Sequence, residues 1–235
     1  MSLKNPYLQK YHDEGFFRID GYCMPECFHV VDLIDSSGIN TRGGAMEIGV
    51  HHGKFFMMLN ATTTANDQSC AVDVFENQDL NIDNSGNGSK VLFEDNLKNL
   101  DRHAGSNTKI IMGDSTDSAL NLVNTLGPGS MRYISIDGGH TAEHAINDLK
   151  IAEQLVANEG VVVLDDIMHY CWLGVIEGAV KYLSQHPTLV PFAIGQNKLW
   201  MCKWSYHKKY LELFKDSNLS RKWPQTFVGH EIVTM

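Results

Sequence analysis

The sequence predicts an α/β fold in which a doubly wound, mostly parallel sheet of seven strands carries an antiparallel hairpin at its C-terminal edge. Two observations lead to this prediction. Five short apolar runs alternate with helical patterns along the first two thirds of the chain, which is typical of a sheet covered by helices. Two more strand-like runs then follow each other closely. Of the 235 residues, 43% are hydrophobic, so the chain can bury a sizeable core.

No stretch rich in proline or serine divides the chain, and we expect its three segments to pack together. Residues 1–40 are predicted to form a helical cap, with Gly38 as a helix stop. Residues 41–204 should form the main domain. Residues 205–235 are predicted to be a helix and a tail packed on that domain.

The five apolar runs are short and continuous, as expected for strands buried on both faces of a parallel sheet. They lie at 45–50, 70–75, 109–112, 133–136 and 160–164. Helical patterns are predicted at 54–65, 91–103, 118–125, 142–157 and 172–184. The hairpin is predicted from runs at 189–194 and 198–204, which Gly195, Gln196 and Asn197 connect.

Charge and composition narrow the choice of partners. The net charge of −9 argues against a nucleic acid or an anionic membrane as the main partner. Without a signal peptide or a membrane-spanning apolar stretch, the chain is expected in the cytoplasm, with its five scattered cysteines as free thiols. The aromatic residues of the cap leave two roles open, closure over a site or a homodimer interface.

The polar residues that follow the strands predict where a ligand binds, because ligands of open α/β sheets lie beyond the C-terminal ends of the strands. The first run leads from Glu47 into a turn that holds Gly49 and Gly53. Glycines at this turn let the backbone approach a ligand closely, and the next helix offers unpaired N–H groups.

The other strands also end in polar residues. Asp73 ends the second run and is placed to bond ribose hydroxyls, while Asp114 and Ser115 follow the third and suit the edge of an adenine. Asp137 and His140 follow the fourth run, and an acidic pair follows the fifth. All five strands therefore present polar groups at one edge.

The glycine turn fits neither of two common nucleotide motifs. A dinucleotide fingerprint needs three glycines, and this turn has only Gly49 and Gly53. A P-loop would need one more residue between them and Ser or Thr in place of Phe55. A nucleoside without phosphates fits the turn better.

These motifs, E-I-G-V-H-H-G-K, V-D-V-F, G-D-S, D-G-G-H and L-D-D, resemble those of class I S-adenosylmethionine-dependent methyltransferases. More narrowly, the chain is similar to the metal-dependent O-methyltransferases of the catechol type and of the macrolide and aminocoumarin sugar type. The resemblance extends over about residues 43–204. It implies a Rossmann-like methyltransferase fold with S-adenosylmethionine and Mg²⁺ as cofactors.

The same resemblance assigns the cofactor-binding residues. Glu47, Gly49 and Gly53 would line the methionine part, Asp73 the ribose, and Asp114 or Ser115 the adenine. The remaining predicted cofactor-binding residues are His51, Lys54, Val74 and Asp137.

The resemblance also implies the catalytic groups. Asp137, Asp165 and Asp166 would bind Mg²⁺, and His140 would be the general base, so that His140 and Asp137 form the catalytic pair. Three converging carboxylates repel one another unless a cation neutralises them, which agrees with this assignment. Catechol-type enzymes have Lys at the base position and often Asn at the last ligand, so His140 and Asp166 favour the sugar-modifying branch.

One further residue and one loop are predicted to border the ligand at the C-terminal edge of the sheet. His169 follows the aspartate pair and is predicted to contact the substrate. Residues 76–90 are polar and rich in Gly and Asn, and we expect them to form a lid or a substrate wall.

The predicted function is methyl transfer from S-adenosylmethionine to a hydroxyl of a sugar, glycan or glycosylated small molecule. Two alternatives stay open, a metal-independent small-molecule methyltransferase and a non-catalytic module that binds an adenosine ligand. At the residue level, Asp165 and Asp166 could instead cap the next helix. The segment from His140 to His144 also has the H-x-x-E-H spacing of an inverted zinc-protease motif.

Overall fold

A computed structural model describes residues 2–221, 223 and 225–235, and Met1, Lys222 and Pro224 of the predicted cap and tail lie outside the described residues. The strands are β1 (Gly44–Ile48), β2 (Ser69–Asp73), β3 (Thr108–Met112), β4 (Met131–Ile136), β5 (Val156–Leu164), β6 (Leu189–Gly195), β7 (Lys198–Lys203), β8 (Gln225–Phe227) and β9 (His230–Thr234). The helices are α1 (Pro6–Glu14), α2 (Cys27–Ser36), α3 (Lys54–Asn60), α4 (Lys90–Leu100), α5 (Leu122–Leu126), α6 (Ala142–Leu155), α7 (Leu173–Leu183) and α8 (Trp204–Lys215).

The strands form one sheet in the order β3-β2-β1-β4-β5-β7-β6-β9-β8. The first five strands in this order are parallel, and β7 is antiparallel to both β5 and β6. The predicted α/β class, the mostly parallel sheet and the C-terminal hairpin are confirmed. Because β1 lies between β2 and β4, the strand order reverses there, and a crevice opens at the C-terminal ends of these strands.

The predicted number of seven strands is wrong, since the sheet has nine strands in the part of the chain that the structure describes. The tail contains β8 and β9, and β9 pairs in parallel with β6, so the β6–β7 hairpin lies inside the sheet. Ile232 and Val233 are buried there. The apolar run of β9 is short and has polar neighbours. Its sequence pattern therefore does not distinguish a strand from an irregular C-terminal segment.

Apolar side chains pack on both faces of the sheet. Tyr133 lies in one core cluster and its neighbour Ile134 in the other, because successive side chains of a strand point to opposite faces. The first cluster includes Phe28 of the cap and Phe214 of α8, and the second includes Leu149 of α6. Burial on both faces explains why the central strands read as continuous apolar runs.

The N-terminal segment packs against the start of α3, next to the turn that follows β1. The Tyr11 hydroxyl donates to the Lys54 carbonyl oxygen at 2.7 Å. In return, the Lys54 ammonium donates to the carbonyl oxygens of Ile19 and Gly21, each at 3.0 Å. These bonds hold residues 19–21 beside the start of α3. Within the described ranges, no helix combines the length and the apolar character that crossing a membrane would require.

Candidate active site

A cavity of about 430 Å³ lies at the C-terminal ends of β1, β2, β4 and β5. Most of the predicted site residues line it, namely Glu47, Gly49, His51, Lys54, Asp73, Val74, Asp114, Ser115, Asp137, His140, Asp165 and Asp166. Gly53 and His169 are not among its lining residues. Most of the predicted residues therefore lie together around one cavity at the edge of the sheet that the sequence indicated.

The two glycines of the turn after β1 are needed for packing inside the protein. At Gly49 φ is +81°, and a Cβ there would lie 1.9 Å from the carbonyl oxygen of Asp137. At Gly53 φ is +88°, and a Cβ would lie 2.7 Å from the ring of Phe93. Side chains at these positions would collide with β4 and α4. Both glycines thus fix the shape of the turn. Their part in close approach to a ligand stays a prediction.

Asp73 holds the same turn through its carboxylate. One oxygen accepts a hydrogen bond from the backbone N–H of His51 at 2.7 Å, and the other accepts from the backbone N–H of Phe75 at 2.6 Å. Each oxygen has a second lone pair. Asp73 can therefore order the turn and still accept hydrogen bonds from ligand hydroxyls.

Glu47 is a buried acid in the cavity wall. Burial raises the pKa of this side chain to about 8. At neutral pH Glu47 is consequently a neutral carboxylic acid that can donate a hydrogen bond. Its position in β1 keeps this donor at the base of the cavity.

Asp114 and Ser115 follow β3 and line the cavity. Asp114 accepts hydrogen bonds from the backbone N–H and the hydroxyl of Thr116 at 2.8 and 2.9 Å. The carbonyl oxygen of the buried Ser115 accepts from the Asn147 side chain at 3.0 Å. Both predicted adenine contacts are fixed in place at the cavity edge.

Asp165 is paired with a lysine that the sequence analysis did not identify. Its carboxylate contacts the ammonium of Lys198, which is 2% exposed and lies at the start of β7. Burial alone would lower the pKa of Lys198, but the negative charge of Asp165 raises it. The charge of Asp165 is therefore already balanced. A lysine opening an otherwise apolar strand, K-L-W-M, was the available signal in the sequence.

Asp137 and Asp166 come together with His140 instead. One potential ligand atom from each of these residues lies within 4.8 Å of the other two. The His140 Nε2 atom is 2.9 Å from a carboxylate oxygen of Asp166 and 3.9 Å from one of Asp137. Burial and the neighbouring Asp165 raise the pKa of Asp137.

The other ring nitrogen of His140 contacts Asp83, a second residue that the sequence analysis did not identify. A single oxygen of Asp83 lies 2.8 Å from Nδ1 and accepts the backbone N–H of His140 at 2.7 Å. Burial alone would raise the pKa of Asp83, but hydrogen bonds from Ser85 and His140 lower it to about 2. Asp83 precedes His140 by 57 residues, so only the folded chain reveals the pair.

These contacts fix the orientation and the charge of His140. Its ring stacks on Trp172, with centroids 4.4 Å apart. Burial alone would lower the pKa of His140, but hydrogen bonds to Asp166 and Asp83 raise it. His140 is consequently an oriented imidazole whose Nε2 faces the acidic pair.

The carboxylate oxygens beside His140 are suitable ligands for one hard cation. Asp137 and Asp166 supply carboxylate oxygens, and Mg²⁺ is usually bound through one or two carboxylates together with water. Asp165, the third predicted ligand, is held by Lys198. The residues present therefore fit Mg²⁺ with two protein ligands, one fewer than the resemblance implies.

The residues around the aspartate pair do not form a helix cap or a protease-type zinc pair. The helix that follows them, α7, begins at Leu173. His144 lies on α6 and its Nε2 atom is 3.5 Å from Asp114, while His140 contacts Asp83 and Asp166.

Residues 76–90 form part of the cavity wall. Seven of them line the cavity, namely Gln78, Leu80, Asn81, Ile82, Ser85, Gly86 and Gly88. His169 stacks on Tyr170 and Trp172, with ring centroids 5.2 and 6.1 Å apart, and is not a lining residue.

Comparison with known proteins identifies the family. Residues 46–167, just over half of the chain, match the family described as a methyltransferase domain. The chain belongs to this methyltransferase family. The matched residues extend from β1 to the aspartate pair, so they include most of the cavity wall. The family that the resemblance predicts is confirmed.

Solved structures share the fold of this methyltransferase at low sequence identity. The O-methyltransferase NovP is 17% identical with a TM-score of 0.58, and the match covers 76% of this chain and 79% of that one. CalS11, a TDP-rhamnose 3'-O-methyltransferase of calicheamicin biosynthesis, is 13% identical with a TM-score of 0.53 and the same coverage. An O-methyltransferase from Bacillus cereus in complex with SAH is 13% identical with a TM-score of 0.56, covering 84% and 90%. No curated protein matches the sequence of this chain.

Proposed function

We propose that the protein is an S-adenosylmethionine-dependent O-methyltransferase that acts on a hydroxyl of a sugar, a glycan or a glycosylated small molecule. The observation that carries this proposal is the position of His140. Its imidazole is fixed between Asp83 and Asp166 at the edge of the cavity that the methyltransferase domain forms. A base in this position is useful for methylating a hydroxyl, which must lose a proton.

The cavity wall offers groups for each part of the cofactor. The neutral acid of Glu47 can donate a hydrogen bond to the methionine carboxylate, while Asp73 can accept hydrogen bonds from ribose hydroxyls. Asp114 and Ser115 lie on the wall where the adenine would bind. The glycine turn adds backbone N–H groups at the start of α3.

His140 would remove the acceptor proton through Nε2. With Asp83 as acceptor for Nδ1–H, Nε2 would take the acceptor proton and then donate it to the carboxylate of Asp166, 2.9 Å away. A bound Mg²⁺ would lower the pKa of an acceptor hydroxyl. The acceptor oxygen then forms a bond to the methyl carbon as the bond from that carbon to the sulfonium sulfur breaks. Asp137 and Asp166 would hold the metal, and Asp83 and Trp172 keep the ring in position.

A sugar acceptor is favoured by His140 and Asp166, which resemble the sugar-modifying branch. A divalent ion held by two carboxylates has positions left for two neighbouring hydroxyls, which sugars commonly provide. Among the structural neighbours, CalS11 is described as a TDP-rhamnose 3'-O-methyltransferase.

A methyl-transfer assay tests the proposal. The purified protein would be incubated with S-adenosylmethionine, Mg²⁺ and a panel of glycosides and catechols, and methyl ethers would be detected by mass spectrometry. We expect a methylated sugar, and we expect its formation to fall by at least about 100-fold for His140→Ala, the loss typical of a general base. Full activity of His140→Ala would refute the role of His140 as the general base. Activity that survives EDTA would favour a metal-independent methyltransferase. Cofactor binding without a product from any acceptor would favour the binding-module alternative.

A further inference from the structure

Two adjacent histidines, His51 and His52, lie close to Asp20, and Asp20 and His51 line the cavity. One potential ligand atom from each of the three residues lies within 4.8 Å of the other two. The two imidazole rings have centroids 3.9 Å apart. His52 Nδ1 is 3.9 Å from a carboxylate oxygen of Asp20. The group joins the N-terminal cap to the turn after β1.

Both histidines have a ring nitrogen that the protein leaves unused. His51 Nδ1 and His52 Nε2 are buried and have no hydrogen-bond partner among the described residues. His52 as a whole is 7% exposed. Burying an imidazole nitrogen without a partner costs free energy. The cost at His51 Nδ1 is recovered when that nitrogen binds a ligand, and on His52 it is Nδ1 that lies near Asp20.

The chemistry of the group selects a transition metal. We propose that Asp20, His51 and His52 bind one borderline divalent cation such as Zn²⁺ or Co²⁺, at a site separate from Asp137 and Asp166. Two imidazoles and one carboxylate suit these ions, whereas Mg²⁺ prefers oxygen ligands.

The geometry allows the three ligands to close on one ion. Ligand atoms that share a tetrahedral Zn²⁺ lie closer together than 4.8 Å, so one side chain must move inward. The Asp20 side chain is 87% exposed and has room to do so. The nearby ammonium of Lys54 is occupied by the carbonyl oxygens of Ile19 and Gly21.

A metal at this site would fasten the cap to the cavity wall. Asp20 and His51 both line the cavity, together with Gly21 and Tyr22 of the cap. Joining Asp20 to the histidines would therefore fix one side of the cofactor entrance. This role does not depend on which acceptor is methylated.

Calorimetric titration with Zn²⁺ tests the site. The protein, without an affinity tag and with saturating Mg²⁺ present to occupy the carboxylate site, should bind one Zn²⁺. His52→Ala and Asp20→Asn should each weaken Zn²⁺ binding by at least about tenfold. His29→Ala removes an exposed histidine of α2 and should leave binding unchanged.

A spectroscopic readout and a folding control complete the test. Co²⁺ in place of Zn²⁺ should give a visible ligand-field absorption that His52→Ala abolishes. Because Asp20 is exposed, Asp20→Asn should keep the metal-free melting temperature of the wild type even if His52→Ala does not fold. Wild-type Zn²⁺ affinity in Asp20→Asn and His52→Ala would overturn the proposal. Loss of the Zn²⁺ signal in Asp137→Asn would overturn it as well, by placing the ion at the other site.

Discussion

At the scale of single residues, the candidate site contains three buried ionisable groups, and each is stabilised in a different way. His140 is fixed between two carboxylates, and Asp165 is neutralised by Lys198. Glu47 is kept neutral by burial, which outweighs the attraction of Lys198. The sequence predicted His140 and the acidic residues because each follows a strand end. Lys198 and Asp83 were missed because their partners are distant along the chain, and no local pattern marks a contact of that kind.

Asp83 is expected to support catalysis by orienting His140. In Asp83→Asn the amide can still accept the backbone N–H of His140, but it is a weaker acceptor for Nδ1–H and does not stabilise the protonated ring. We expect kcat to fall by at least about tenfold, with a smaller change in the KM for S-adenosylmethionine. Steady-state kinetics of Asp83→Asn beside Asp79→Asn, an exposed acid of the same segment, measure this effect. Equal activity of the two variants would show that Asp83 has no such role.

The buried acid Glu47 gives stability a definite pH dependence. Its pKa is about 8 in the folded protein and near 4.5 when exposed. Between these values the folded state binds the extra proton, so the contribution of Glu47 becomes steadily less favourable as pH rises from about 4.5 to about 8.

Glu47→Gln removes this ionisation. At pH 5 we expect the variant and the wild type to have similar free energies of unfolding. At pH 9 the variant should be more stable by up to about 4 kcal/mol, from the size of the pKa change. Urea unfolding at both pH values measures the difference. A variant that is no more stable than the wild type at pH 9 would contradict the assignment of Glu47 as a neutral buried acid.

At the scale of elements, the parallel strands and the β6–β7 hairpin were predictable, whereas the β8–β9 pair was not. Strands β1, β2, β4 and β5 are buried on both faces and read as unbroken apolar runs. Strand β9 offers only Ile232 and Val233 as buried apolar residues, and its pairing with β6 is decided by tertiary contacts.

Strand β9 should contribute to stability because it extends the sheet. Ile232→Ala removes a buried side chain and should lower the free energy of unfolding by about 2–4 kcal/mol. Urea unfolding measures the loss, with Glu231→Ala, an exposed neighbour in the same strand, as the control. Equal stability of the two variants would show that β9 is not packed on the sheet in solution.

At the scale of the whole molecule, the strand ends that the sequence indicated surround one cavity. The reversal of strand order beside β1 creates one crevice, and the cap, residues 76–90 and the aspartate pair all border it. The family match shows a methyltransferase domain. An acceptor would contact side chains that loops bring to this crevice, which is why the sequence could indicate its class only through resemblance.

The most direct test of the account is a thermal-shift titration with S-adenosylhomocysteine, with ATP and NAD as controls. A ligand at about 100 times its Kd stabilises the folded state by about 2.7 kcal/mol, which raises the Tm by several degrees. We predict such a rise with S-adenosylhomocysteine and none with ATP or NAD. A rise with ATP or NAD and none with S-adenosylhomocysteine would contradict the proposed cofactor and, with it, the proposed methyl transfer.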